Sequence, residues 1–457
     1  MAPLALWLWS LALAFVWWGA SALRHALLQS NAYDLGLFDQ WAWLLAAGRP
    51  PISSMEGVHV LADHAAWLLP LVALPYRLLA SPQWLLASQA LALSLTAVPL
   101  WAVARQAGLS ARLAWLACGL WWLQPVVFNA NLFDFHPEVW AMPALAGCFW
   151  AQRSGRHRLW LALMLVLLGC RDGLALVVVG LGVGAALERR WRAALLAFGL
   201  GLGWLLLLSR WLYPLLRGEG PKAAAAAYGH LGDSVEAIAL NLITSPQLAL
   251  QQVSPLDALL YLVLLSVAVA PFWRGASLPT LATALPLVLS NLISSTTSQR
   301  TLIHHYNLPV AVITVVAAVD GLAVAPSPRL PWRRLAWAAV CWAALAKPWF
   351  FSGPYLERLA LVRPAAAAMA TIGPDEAVLT TSYLVPHLSG RERIAFPRPE
   401  IDTAALDRFD VLLLHPDDPG WASDRPTQER LLEGARQMGW RCQPWGPQGM
   451  ELCRRPG

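Results

Sequence analysis

From Leu4 to Phe350 the chain is a succession of apolar runs separated by short breaks that carry arginine. Roughly 20 apolar residues in a helix cross a bilayer core about 30 Å thick, with every backbone polar group satisfied inside the segment. A chain patterned this way folds as a bundle of membrane spans. Only 13% of its residues are charged, against roughly 25% in a soluble domain. The net charge of +6 does not point to nucleic acid, because the arginines sit in the breaks, where they report topology.

Basic residues gather on the cytoplasmic side of a membrane protein. The clusters are Arg105 with Arg112, RSGRHR at 153–158, ERRWR at 188–192, Arg274, and PSPRLPWRR at 326–334. With all of them inside, about eleven spans follow, near 4–23, 84–104, 113–130, 139–152, 159–170, 173–187, 193–213, 257–273, 278–293, 308–324 and 335–350. This predicts a multi-pass protein of the inner or plasma membrane with a cytoplasmic N-terminus. The first run has neither a basic start nor a small-residue cleavage site, so it reads as a retained anchor. The run 65–80 breaks the alternation and contains Pro70 and Pro75; it is expected to be re-entrant or interfacial. Loops 24–83 and 214–256 then lie outside, the second with a short helix, DSVEAIALNLIT, capped by Asp233.

The pattern changes after the transmembrane part, 1–351. AVLTTSYLVPHLSGRERIAFP and FDVLLLHPDD read as short strands, and PTQERLLEGARQMG as an amphipathic helix ending at Gly439. Residues 352–457 are expected to form a small extracytoplasmic α/β domain, in which Cys442 and Cys453 can pair if the compartment is oxidising. The other four cysteines sit in or beside spans, where a thiol behaves as a small hydrophobe. No CxxC or Cys/His metal spacing is present.

One hairpin is too short for its task. Residues 159–187 lie between two basic clusters, with Arg171-Asp172 in the middle. Each half reaches roughly 20 Å, short of the ~30 Å core. The tip is therefore expected inside the protein. Charges at that depth need a partner or a wet cavity.

The remaining polar residues of the apolar part divide between ordinary and functional readings. In NAYDLGLFDQWAWLLAAGRP, a surface helix ended by Gly48, Asp34 suits an N-cap and Asp39 a solvated face. In NLFDFHPE, Pro137 suits a first helical position and Glu138 the helix dipole, which leaves Asp134 and His136 unexplained. Arg171 and Asp172 can neutralise each other, or Arg171 can hold an anion in its planar fork. His64 opens the re-entrant run. His304, His305 and Tyr306 stand at the outer end of a span, where an interfacial tyrosine is ordinary. Carboxylates from two loops, one intramembrane cation and outer histidines thus fall on one face.

Six segments carry a resemblance: YDLGLFDQWAW, NLFDFHPEVWAMP, the RDG of the short hairpin, YGHLGDSVEAIALNLITSP, NLISS with HHY, and SYLVPHLSGRERIAFP. In that order, from about Asn31 to Pro397, they resemble the prokaryotic membrane proteins called domain of unknown function 2079. The layout is similar to that of the GT-C glycosyltransferases, which keep an acid in the first outer loop and a second acidic motif in the next. The resemblance implies a GT-C-like helical membrane fold, with Asp34 and Asp134 at the two acidic positions. It also implies a membrane-lipid partner, a polyprenyl-phosphate-linked sugar, and transfer of that sugar to an extracytoplasmic acceptor. Asp34 would act as base, Asp134 and His136 would orient the acceptor or a metal, and Arg171 would hold the departing phosphate. Asp39, His64, Glu138, Asp172, His304, His305 and Tyr306 are the other candidate substrate contacts. Asp-x-His stands where a clean acidic pair is usual, so a divalent metal is compatible with the sequence and not required by it. The rival class is a non-catalytic membrane protein, a transporter or an envelope-assembly scaffold. Transporters place charges near the midplane and carry internal repeats, and neither pattern is evident.

Overall fold

The computed structural model describes residues 2–217, 227–324, 330–446 and 449–456. Parts of the expected loop 214–256 and of the basic cluster 326–334 lie outside the described residues. Among the described residues, four helices are long and apolar enough to cross a membrane: Leu4–Ala26, Gln83–Gln106, Trp191–Arg217 and His305–Val324. Two bent pairs add to them, Ala111–Trp122 with Pro125–Leu132 at 46°, and Gly275–Ala282 with Leu285–Ile293 at 61°. Pro125 and Pro286 open the second halves; a proline lacks the amide donor and clashes with the preceding turn, so the run breaks there.

Length and composition thus support four to six of the eleven expected spans. The other five form shorter helices, Ala141–Arg153, His157–Cys170, Ala175–Leu187, Pro255–Ser266 and Trp332–Leu345. Such helices reach only about 20 Å. Run 65–80 holds the short helix Leu69–Tyr76. It packs on the tip of the short hairpin, where the Leu68 amide donates to the Gly169 carbonyl at 3.1 Å.

The helix His305–Val324 forms the centre, with 83% of its span buried. Neighbouring backbones approach it closely: a Cβ on Gly321 would lie 2.1 Å from the Phe272 carbonyl oxygen. At one end Arg153 donates to both oxygens of Asp320, at 2.7 and 2.9 Å, and the Thr280 hydroxyl donates to the same carboxylate at 2.5 Å. Three helices are clamped by this one pair.

The C-terminal part carries a five-stranded sheet: β1 Val378–Thr380, β2 Ile394–Ala395, β3 Val411–Leu414, β4 Arg441–Trp445 and β5 Met450–Arg454, in the order β2-β1-β3-β5-β4. β2, β1 and β3 are parallel; β5 runs antiparallel to β3 and β4. Helix Arg425–Gln437 begins where the Asp424 carboxylate accepts from the Thr427 amide at 2.8 Å. Its Leu431, Leu432 and Ala435 cover one face of the sheet, while Val378, Leu413 and Leu452 join the core of the helical bundle. Cys442 and Cys453 form a disulfide between β4 and β5. The helix expected in 214–256 runs Val235–Thr244, and its cap is Ser234 rather than Asp233. Ser234 has the extended backbone that aims its hydroxyl at the Ala237 amide.

The sheet sits on the first loop. Gln40 donates to the Arg391 carbonyl at 3.1 Å, and Ser54 donates to the Ile394 carbonyl at 2.8 Å. Docking there brings loop 24–83, the NLFDFHPE stretch and the C-terminal part to one end of the bundle.

Candidate functional site

Asp34 lies in the wide turn Ala32–Gly36 that starts the helix Leu37–Ala46. Asn31 takes the capping position, so Asp34 is not the N-cap. Its carboxylate accepts from His136 Nε2 at 3.1 Å. The His136 ring stacks on His305, with centroids 3.7 Å apart. His305 Nε2 lies 3.1 Å from Glu138, and Arg171 also binds Glu138. The Arg171 guanidinium stands 5.5 Å from the Tyr306 ring. One chain of contacts therefore joins Asp34, His136, His305, Glu138, Arg171 and Tyr306, all expected from the sequence. His304 flanks it, edge-on to Phe133 at 4.2 Å.

The stretch 131–138 owes its shape to a residue that sequence reading missed. Gln89 is fully buried; its amide donates to the carbonyls of Ala130, Asn131 and Asp134 and accepts from the His136 amide. Asp134 has φ +74°, a conformation costly for a side chain other than glycine. That turn directs its carboxylate to Arg24, at 2.6 Å, and to the Asn31 amide, at 2.8 Å. Asp134 thus joins the first span to the first loop. Arg24 was also missed, although a lone cation at the end of the first apolar run, opposite the basic clusters, is a visible signal. Pro137 does open a short helix, but Glu138 serves the Arg171 pair beyond any dipole effect.

Besides Asp134, three candidates lie at or beyond the edge of this chain of contacts. Asp39 is buried, not solvated; its oxygens accept from Tyr76 and Ser389, both at 2.7 Å, tying the loop to the C-terminal part. His64 pairs with Asp63, and its ring lies 5.5 Å from Phe38, whose other side meets His136 at 5.9 Å. Asp172 accepts from the Tyr213 hydroxyl at 2.8 Å and lies 3.9 Å from Arg171. The adjacent pair is therefore split between two partners rather than closed on itself.

Burial sorts the groups by what they can meet. Asp134, His136, Glu138 and His305 are buried; Asp34, Arg171, His304 and Tyr306 are partly exposed. Burial opposes ionisation of Asp34, but the His136 hydrogen bond and the nearby histidines hold its carboxyl below the usual range. Burial likewise opposes Glu138, and the Arg171 charge more than offsets it, so the acid stays well below its ordinary value. Asp134 is raised by burial despite Arg24. Among the described residues no group of three or more His, Cys, Asp or Glu side chains is placed to hold a metal ion. An apolar cavity of about 680 Å³ opens beside helix Ala141–Arg153, lined by Trp7, Val98, Trp140, Gly147, Trp150 and Leu163.

A helical membrane bundle, an acid on its first loop and a small α/β part docked over that loop make up the architecture. The chain belongs to the family described as predicted membrane protein (DUF2079), which it matches over residues 24–452. Among solved structures, it is similar to ArnT from Cupriavidus metallidurans. In the apo state the match has a TM-score of 0.53 over 98% of this chain and 99% of that one, at 14% identity. With undecaprenyl phosphate bound to ArnT it has a TM-score of 0.54 over the whole of both chains, again at 14% identity. At that identity the likeness is one of fold. No curated protein matches the sequence.

Proposed function

We propose that the protein is an inner-membrane glycosyltransferase that moves a sugar from a polyprenyl-phosphate carrier to an acceptor hydroxyl outside the cytoplasm. The observation that carries this reading is a partly exposed Asp34 carboxylate, oriented by His136, on the first loop of a fold shared with ArnT. ArnT has been seen with undecaprenyl phosphate bound. The cavity beside Trp140 offers apolar surface for a prenyl chain. The N-terminus is cytoplasmic and the C-terminal part lies outside, an orientation supported by the Cys442–Cys453 bond, which belongs in an oxidising compartment.

In this mechanism Asp34 takes the proton of the acceptor hydroxyl as that oxygen attacks the anomeric carbon. The bond from that carbon to the carrier's phosphate oxygen breaks, its electron pair stays on the phosphate, and the sugar inverts. His136 holds the Asp34 carboxylate in place; His305, Glu138 and Arg171 brace His136 from behind. Arg171 acts here through Glu138, which already neutralises it. No step is routed through a metal. Transfer from polyprenyl-phosphate sugars in proteoliposomes should fall about a hundred-fold or more in Asp34→Asn. Equal turnover by Asp34→Asn, or no consumption of such donors by the wild type, would overturn the reading.

A further inference from the structure

A polyprenyl-phosphate donor needs a cation for its phosphate, and the cations first in view are occupied. Arg171 is bound by Glu138 and Arg24 by Asp134. Arg153 is bound by Asp320, in a pair that also holds Thr280, and Arg358 by Asp418. Lys347 differs. It is partly exposed, and among the described residues no carboxylate lies within ion-pair distance of its ammonium. It is also chemically unusual here, since Lys222 and Lys347 are the only lysines of the sequence. A lysine presents a compact charge with three rotatable donors, suited to phosphate.

The fold takes trouble to place it. Lys347 follows helix Trp332–Leu345, and its amide donates to Asn129 Oδ1 at 2.8 Å. Asn129, itself buried, donates to the carbonyls of Leu345 at 3.1 Å and Leu302 at 2.9 Å. One side chain therefore pins the Lys347 turn beside the segment that leads to His304. The ammonium lies 4.5 Å from the Phe350 ring, which meets Tyr355 at 5.3 Å; Tyr355 in turn lies under Arg24 at 5.6 Å. Arg24 reaches Asp134, the neighbour of the Phe133 that packs on His304. These contacts close a ring around one corner whose partly exposed polar members are Lys347 and His304; Asp34 adjoins it through His136, whose ring lies 5.9 Å from that of Phe133. Charge agrees with position. Asp34 and Lys347 both act electrostatically on His304, so the three share one local field.

We infer that Lys347 is the phosphate ligand of this site, holding the phosphate group of the lipid donor on the same corner as the Asp34 base. The inference rests on the proposed glycosyl transfer for the identity of the lipid, and on geometry alone for the phosphate. Under it, Arg171 is a positioning residue.

Binding of undecaprenyl phosphate, undecaprenol and inorganic phosphate to the purified full chain in nanodiscs separates the possibilities. The wild type should bind undecaprenyl phosphate more tightly than undecaprenol, and inorganic phosphate should compete. Lys347→Ala should lose about ten- to a hundred-fold in affinity for the phosphorylated lipid, with undecaprenol binding unchanged. Lys347→Arg should recover most of the loss, and a melting temperature close to that of the wild type shows that each variant is folded. Wild-type affinity in Lys347→Ala, or equal losses for both lipids, overturns the phosphate assignment while leaving glycosyl transfer standing. Binding of inorganic phosphate that depends on Lys347, without binding of the lipid, keeps the phosphate site and removes the lipid reading. A wild type that binds none of the three overturns both.

Discussion

At the scale of single residues, two neighbouring acids divide structural from chemical work. Among the described residues Asp134 is the sole carboxylate paired with the buried Arg24, and it sits in a left-handed turn. Removing it strands the Arg24 charge and the Asn31 amide, which costs about 3–5 kcal/mol. Asp134→Ala should therefore melt far below the wild type in detergent, and Asp134→Leu with Arg24→Met should recover much of the loss. Asp34→Asn should melt close to the wild type, because that acid is partly exposed and only its histidine bond changes. Asp39 provides a pH signature. Burial pushes its carboxyl up from 3.8 to about 6, against the hydrogen bonds from Ser389 and Tyr76. The protonated form thus favours the folded state. Stability is full below about pH 4 and falls as the pH rises toward 6, by on the order of 3 kcal/mol. A melting profile across that window should flatten in Asp39→Asn; an unchanged slope assigns the dependence to another group.

Among elements, helix packing depends on places where no side chain fits. A Cβ on Gly180 would lie 1.9 Å from the Thr283 carbonyl oxygen, a backbone atom that cannot swing aside. Gly180→Ala should separate helix Ala175–Leu187 from the bent pair around Thr283 and cost at least about 1–3 kcal/mol. Gly199→Ala, where nothing lies within 4 Å, is the control. The outcome is read as the yield and melting temperature of folded protein. Hydropathy alone could not make this distinction, because both glycines sit in equally apolar runs. The same blindness bears on the eleven expected spans, of which length and composition support four to six among the described residues: an apolar stretch reads alike whether a proline bends it or a turn divides it. The short hairpin was different. Its length and central charges were legible, and its tip does lie within the bundle against the run that opens at His64.

Across the whole molecule, the C-terminal sheet and the first loop form one assembly. Asp39, Gln40 and Ser54 bond to Ser389, Arg391 and Ile394 across more than 300 residues of sequence. The Arg358 side chain binds both oxygens of Asp418, at 2.5 and 3.0 Å, stacks on Tyr383 at 4.0 Å, and donates to the Leu28 carbonyl at 3.1 Å. The disulfide closes a loop with a sequence separation of 11, worth about 3 kcal/mol in chain entropy. Cys442→Ser should accordingly make the β4–β5 hairpin sensitive to proteolysis first, with the helical core surviving longer. Simultaneous loss of both would mean the sheet is needed to hold the bundle together.

Apolar patterning by itself determined that this chain is a membrane bundle with a mixed α/β end, because burial of backbone polar groups in lipid admits few alternatives. It also gathered Asp34, His136, Glu138, Arg171, His304, His305 and Tyr306 onto one face, since arginine-bearing breaks fix the alternation of sides. Tertiary structure decided which of those groups touch, which are neutralised, and which meet solvent. Asp134 turned to Arg24, Asp39 to Ser389, and Arg171 to Glu138, each through partners between 33 and 350 positions away. Lys347, one of two lysines in the sequence, belonged to no motif there and stood out only once Arg24, Arg171 and Arg358 had paired. Charge pairing is set by distance in the folded state, and distance is what a linear pattern does not carry.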